Sequence, residues 1–205
     1  MPRPEVAARS FHVRSNGASD ETEQARAAGM GRMGNIVIPV LRSARLTLRA
    51  FRAEDIDEYA PIRADPEVGL FVGGPRTREE TWDRMAVMNG QWVLRGYGVF
   101  AVEEAVTGRL IGHCGVLHPI DWPEPEIAYS LGPAHWGRGF APEAARTARD
   151  WAFERGGLPA LVSFIDPLNV RSIRVAEKLG ATREGTLTLR GHTVHCWRHT
   201  RPKAA

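Results

Sequence analysis

The sequence predicts an α/β fold, with a mixed sheet carrying helices on both faces, and three observations predict it. Apolar alternation at Leu46 and Leu48, two helical patterns and a hairpin come first, and strand and helix patterns then take turns. The strand-like runs Glu126 to Leu131 and Ala160 to Ile165 flank an amphipathic helix, a β-α-β unit that closes as a right-handed parallel crossover. A second hairpin, Thr182 to Leu189 with Thr193 to His199 around Arg190-Gly191-His192, ends the pattern. A chain of 205 residues suits one domain with a sizeable core.

Taken in order, residues 1–34 are rich in Ala, Gly, Ser, Glu and Arg with no sustained apolar period, and read as a disordered extension. The domain is expected over 35–200, with a short tail over 201–205. No apolar stretch follows Arg3, and Ile36 to Leu41 is too short to span a bilayer, so a cytoplasmic protein is expected. The first strand runs from about Arg45 to Phe51. A helix opens at Asp55 and runs toward Asp65-Pro66, and Gly69 to Pro75 is an apolar, hinge-like loop. The next helix starts near Thr77 with Glu80 as its capping-box partner, and Trp82, Met85, Met88 and Trp92 form its core stripe. Gly98 to Val102 and Arg109 to Val116 make a hairpin across Ala105 to Gly108. His113 and His118 read as spectators, since no Ser or Asp is spaced to form a triad with either. Cys114 and Cys196 lie in separate strands without metal spacing, and read as two unrelated buried thiols with no metal site.

The chain is organised around Trp136-Gly137-Arg138-Gly139-Phe140-Ala141, which follows the strand ended by Gly132-Pro133. Ala141, Ala144, Ala145, Ala148, Trp151 and Ala152 then recur at helical spacing, Pro142 suits the first turn, and Gly156-Gly157 supply the stop. A helix N-terminus carries unpaired N–H groups and about half a positive charge, and residues without bulk let a phosphate approach them. On spacing alone, an anion site and an ordinary tight turn stand level. The loop has neither a Gly-Lys-Ser/Thr ending nor a complete G-x-G-x-x-G.

A third pattern fits better. The loop resembles the pyrophosphate loop Q/R-x-x-G-x-G/A of the GNAT superfamily of N-acetyltransferases, with Gly139 and Ala141 in the fixed places and Trp136 where Gln or Arg is more frequent. Trp-Gly-x-Gly-Tyr/Phe-Ala loops recur in the branch resembling the Rim-type ribosomal-protein N-acetyltransferases. Asn169 to Ala181 looks like that branch's N-x-x-S-x-x-V-A-E-K-L-G-F/A segment, and Ala44 to Arg49 resembles its first strand. The resemblance covers Arg42 to about His199. It implies a three-layer α/β/α sandwich whose twisted, mostly antiparallel sheet splays at the cofactor site.

The resemblance also implies acetyl-CoA as co-substrate, with its pyrophosphate on the backbone N–H groups from Gly137 to Ala141, Phe140 included, and Arg138 as a flanking cation. The amide-like pantetheine arm would pair with the strand at Tyr129, Ser130 and Leu131 as an added strand does. Asn169 and Ser172 are further cofactor contacts. Glu126 matches the position where many relatives carry a carboxylate that draws the amine's proton through water, with Glu184 and then Glu124 as the other candidates. Many members place a tyrosine before Glu-Lys-Leu-Gly; here that position is Ala176, which leaves Ser172 as the available proton donor to the departing sulfur, unless positioning alone suffices. The implied partner is an amine acceptor, either a protein N-terminus or a small molecule. Trp122 and the loops Gly69 to Pro75, His118 to Pro125 and Arg190 to Thr193 lie where it would enter.

Neither nucleic acid nor membrane is expected, and a homodimer is left open. The net charge of +3 is mild, and only the Arg171, Arg174 and Lys178 side of one helix is locally basic, which a phosphate-rich cofactor explains as well. Two other classes compete with the enzyme: a catalytically weak acyl-CoA-binding regulatory protein, made plausible by Ala176, and a small nucleic-acid-binding module, supported by the basic helix face alone.

Overall fold

The computed structural model describes residues 37–201. The expected extension over 1–34 and nearly all of the tail lie outside the described residues. Eight strands form one sheet: β1 (Leu41–Arg42), β2 (Leu46–Arg49), β3 (Val99–Glu104), β4 (Leu110–Leu117), β5 (Glu126–Leu131), β6 (Leu161–Ile165), β7 (Thr182–Leu189) and β8 (His192–His199). Their order is β1-β2-β3-β4-β5-β6-β8-β7. Every neighbouring pair is antiparallel except β5 with β6. The helices are α1 (Ile56–Ala64), the one-turn α2 (Pro66–Gly69), α3 (Arg78–Arg95), α4 (Phe140–Glu154) and α5 (Val170–Lys178).

Strand alternation sends side chains to two cores. Leu46, Leu48, Phe100 and Val102 meet Ala144, Ala145, Ala148 and Ala152 of α4 on one face. Ala at these positions lets the helix lie close to the sheet while still removing apolar surface from water. The opposite residues, Val99 and Ala101, meet Ile56, Tyr59 and Ala60 of α1 and Met85 and Met88 of α3. Arg146 and Arg149 of α4 donate to the carbonyls of Lys178 and Leu179 at 3.3 and 2.7 Å, which ties α5 to α4's side. The three layers are therefore α4 with α5, the sheet, and α1 with α3.

Local signals account for most boundaries. Thr77 Oγ1 accepts from the Glu80 N–H at 3.1 Å while Glu80 accepts from the Thr77 N–H at 2.8 Å, the capping box expected at the start of α3. Asn169 Oδ1 accepts from the Ser172 N–H at 3.1 Å and so caps α5, and Gly180 follows that helix with φ 72°. Two details differ from the sequence reading. Trp82 is 48% exposed, because Thr81, Met85, Met88 and Trp92 form the buried stripe of α3 and Trp82 falls one residue, about 100° of helix, outside it. Cys196 is half-buried on β8 rather than buried, and both cysteines are free thiols. No helix among the described residues is long and apolar enough to cross a membrane.

Candidate active site

The glycine loop leaves β5 through a short 3-10 turn, Pro133–His135, and enters α4. Gly137 and Gly139 have φ of 72° and 80°, a left-handed conformation that costs a residue with a Cβ about 1–2 kcal/mol, and Gly139 is the N-cap of α4. No loop or turn bond among the described residues uses the N–H of Gly137, Arg138 or Gly139, and those of Phe140 and Ala141 belong to the helix's first, unpaired turn. Five consecutive N–H donors thus have no acceptor among the described residues. Trp136 is fixed from below, its Nε1 donating to the Leu131 carbonyl at 2.8 Å, and from above by the Arg171 guanidinium 4.0 Å over its ring. Arg138 turns back to pair with Glu104 at 3.3 Å and lies 4.7 Å over Phe140. A groove of about 550 Å³ continues from Gly139 between Arg45, Arg146 and Lys178.

Beside the loop the sheet forks. β5 and β6 share one register pair, Glu126 with Val162, closed by the Val162 N–H to the Pro125 carbonyl at 3.1 Å. At the fork, side chains replace the ladder. Ser163 Oγ donates to the Ile127 carbonyl at 2.9 Å and also meets His199 Nε2 at 2.9 Å, and the Glu126 carboxyl lies beside the Phe164 N–H. Beyond the fork, β5 keeps only β4 as its partner, so Ala128, Tyr129 and Ser130 present an unpaired backbone edge to the opening. The Tyr129 hydroxyl donates to the Ser172 carbonyl at 3.3 Å, bridging the opening to α5, and burial pushes that phenol up. An open strand edge next to a cluster of unpaired N–H groups fits a chain of amides ending in a pyrophosphate.

Glu126 lies on the α1/α3 side of the sheet. It is 7% exposed, and its Oε2 has no hydrogen-bond partner. Burial holds its pKa well above the usual carboxylate range, with the Phe164 N–H and the Arg84 charge pulling the other way. Around it, Trp122 stands edge-on to Phe164 at 5.5 Å with its own Nε1 unpartnered. Tyr59 and His113 share a 2.7 Å hydrogen bond, and burial, then Arg63 and Arg84, keep His113 neutral. The loop with Trp122 is clamped to the β7–β8 turn by Arg190, whose Nε and Nη2 both reach Asp121 at 3.0 Å.

The sequence-derived site residues divide between four places. Trp136 to Ala141, with Asn169 and Ser172, gather at the loop and the first turn of α5, and Tyr129 to Leu131 line the fork. Glu126 sits across the sheet from them. Glu184 is elsewhere: it is exposed on the outermost strand β7, where it accepts from Arg198 Nε at 2.9 Å, and Glu124 accepts from the same guanidinium at 2.8 Å. Asn169 uses its side-chain oxygen as a cap, and His118 bonds the Tyr97 hydroxyl at 2.7 Å. Sequence reasoning missed Arg63 and Arg84. Their only linear signal is an arginine on an otherwise apolar helix face, Arg63 four residues after Tyr59 and Arg84 beside Met85. Among the described residues no group of three His, Cys, Asp or Glu could hold a metal ion.

A family model described as an acetyltransferase (GNAT) domain matches residues 45–182. The uncharacterized N-acetyltransferase p20 of Bacillus licheniformis is 34% identical over 151 residues, 72% of this chain and 84% of that protein. The crystal structure of the acetyltransferase from Agrobacterium tumefaciens str. C58 superposes with a TM-score of 0.73 at 36% identity, covering 83% of this chain and all of the other. The ribosomal L7/L12 alpha-N-protein acetyltransferase, solved in complex with coenzyme A, has a TM-score of 0.66 at 20% identity over 80% of this chain and 98% of its own, a likeness of fold.

Proposed function

The chain belongs to the GNAT acetyltransferase family, and from that premise we propose that it moves the acetyl group of acetyl-CoA directly to a primary amine, with Glu126 as the general base. The observation that carries this reading is the fork: β5 parts from β6 after one register pair, next to five N–H groups with no acceptor. The pyrophosphate would take the N–H groups from Gly137 to Ala141, and the pantetheine arm would take the open edge of β5. Asn169, Ser172 and the basic side of α5 complete the cofactor side. Arg138 acts as a cation at the rim, its charge shared with Glu104.

The amine would approach from the α1/α3 side, past Trp122. Its nitrogen attacks the thioester carbonyl carbon, the carbon–sulfur bond breaks, and the nitrogen's proton leaves through a water to Glu126. A carboxyl held above its ordinary range by burial is suited to that proton near neutral pH. The thiolate can be protonated by Ser172 or by solvent. The Tyr129 hydroxyl, beside Ser172, is a second donor that the structure adds to the candidates. Orientation of the two reactants across the fork supplies most of the acceleration.

Calorimetry with acetyl-CoA, together with thiol release across a panel of amines, tests the reading. Tight binding with amine-dependent thiol release supports it. Binding without turnover on any amine would instead make the chain an acyl-CoA-binding regulator.

A further inference from the structure

We propose that the acceptor amine carries an oxyanion, a carboxylate or a phosphate, bound by Arg63 and Arg84 on the α1/α3 side of the sheet. The inference rests on the acetyl-transfer reading above and adds the class of acceptor.

Arg63 is 6% exposed, and its Nη1 has no hydrogen-bond partner. An unpaired buried guanidinium costs several kcal/mol, about the scale of breaking a buried ion pair. Folding tolerates it here because the rest of α1 fixes the residue. Tyr59, one turn earlier, is fully buried, and the Arg63 carbonyl accepts from the Arg76 N–H at 2.8 Å. The neighbouring Ile62 lies 3.3 Å from where a Cβ on Gly132 would stand, so this turn of α1 covers the end of β5. Arg63 acts on His113, and His113 is the register partner of Ser130 on the open edge of β5. Arg84, half-buried on α3, acts on both His113 and Glu126. The two cations therefore lie on the helix layer that covers this side of the sheet, Arg63 on the turn of α1 packed against the end of β5.

Among the described residues neither arginine makes a salt bridge. Five carboxylates on the surrounding elements are engaged with other arginines: Asp57 with Arg78, Glu58 with Arg109, Glu80 with Arg76, Asp121 with Arg190 and Glu124 with Arg198. Glu126, the proposed base, makes no ion pair with either guanidinium, and its Oε2 has no partner. Tyr59 and His113, the other titratable groups there, are held neutral by burial. Two guanidiniums without a carboxylate partner of their own match a planar or tetrahedral oxyanion, which they bind with charge-assisted hydrogen bonds. The same charges repel a polyamine, so the site selects by exclusion as well as by attraction.

The test is steady-state kinetics at saturating acetyl-CoA with matched acceptors: an α-amino acid and its carboxamide, an aminoalkyl phosphate and its neutral alcohol, and spermidine. At least a tenfold higher kcat/KM for the acid over the amide, or for the phosphate over the alcohol, supports the proposal and says which oxyanion is read. In Arg84→Gln and in Arg63→Gln that ratio should collapse toward one, whatever happens to the absolute rates. Equal use of acid and amide, or a preference for spermidine, overturns it. If no amine is acetylated, the transfer reading fails by itself. The site is then read by the thermal shift of the coenzyme A-bound protein, where an acid-specific rise that Arg84→Gln removes supports the oxyanion site and equal shifts for acid and amide overturn it.

Discussion

Glu126→Gln separates the chemistry of this residue from its place in the sheet. The carboxyl lies beside the Phe164 N–H at the fork, and a glutamine amide of the same shape can stand in its place, so the fork and the acetyl-CoA affinity should survive. Loss of a general base costs about a hundredfold or more in rate, and each hundredfold is about 2.7 kcal/mol of transition-state stabilisation. Stability should move the other way. Because the folded protein holds the Glu126 proton above the unfolded carboxylate range, ionising it costs stability as pH rises from the unfolded pKa through the folded one. Glutamine carries no such cost, so the variant should melt higher than the parent at pH 8 and level with it near pH 4. The assays are thiol release across pH and thermal melts at the two pH values. The wild-type rate should show an acid limb above the usual carboxylate range that the variant lacks, and the variant's defect should shrink at high pH as the amine deprotonates unaided. Normal turnover at pH 7 would refute the assignment. If Glu184→Gln were crippled instead, the carboxylate on β7 would be the base, against its exposed pairing with Arg198.

Gly139→Asp puts a side chain and a negative charge among the loop N–H groups, at a φ of 80°, and should weaken acetyl-CoA at least hundredfold by calorimetry while the domain still folds; unchanged affinity removes the loop from the site. Arg49→Met strips the partner from Asp55, which Arg49 Nη1 and Nη2 both reach at 2.7 Å in the core, and from Glu103, and should cost about 3–5 kcal/mol in urea unfolding. A loss under 1 kcal/mol would mean that water reaches the pair. His199 is buried and its pKa is lowered to about 4, chiefly by burial and then by Arg149 and Arg198. It must therefore be neutral to fold, and stability should fall by about 3 kcal/mol as pH drops from 6.5 to 4, a slope that His199→Gln should flatten. Ser163→Ala leaves the Ile127 carbonyl and His199 Nε2 short of a partner at the fork and should cost about 1–3 kcal/mol in the same unfolding assay, and no loss at all would mean that the fork does not depend on that hydroxyl.

How much of this was legible before the coordinates depends on the range of the forces involved. Elements set by local chemistry read correctly: the capping box Thr77 and Glu80, the Asn169 cap, the alanine face of α4, and the glycine stops. Trp82 misread because a window that scores apolar spacing does not weigh Thr81, whose hydroxyl bonds the Thr77 carbonyl at 2.7 Å and so satisfies itself inside the core. The glycine loop was legible because it is contiguous. The α1/α3 side of the site was not, because Arg63, Arg84, His113 and Glu126 come from four elements and meet only through the sheet order β3-β4-β5.

The fork shows what a linear reading can and cannot carry. A parallel pair left open after one residue exposes backbone donors and acceptors on both strands, each costly to bury without a partner. Here side chains meet the first groups past the last pair: Ser163 of β6 holds the Ile127 carbonyl, and the Glu126 carboxyl of β5 lies beside the Phe164 N–H. Neither residue is unusual in its own strand, so neither marks the fork in sequence. Once the strands are placed, both have one explanation. They end the ladder at a fixed residue, and what lies beyond it is an unpaired edge of β5. Glu126 thus stands at the one point where the sheet's last paired residue and the open slot coincide. Its Oε2 is left without a hydrogen-bond partner at that point.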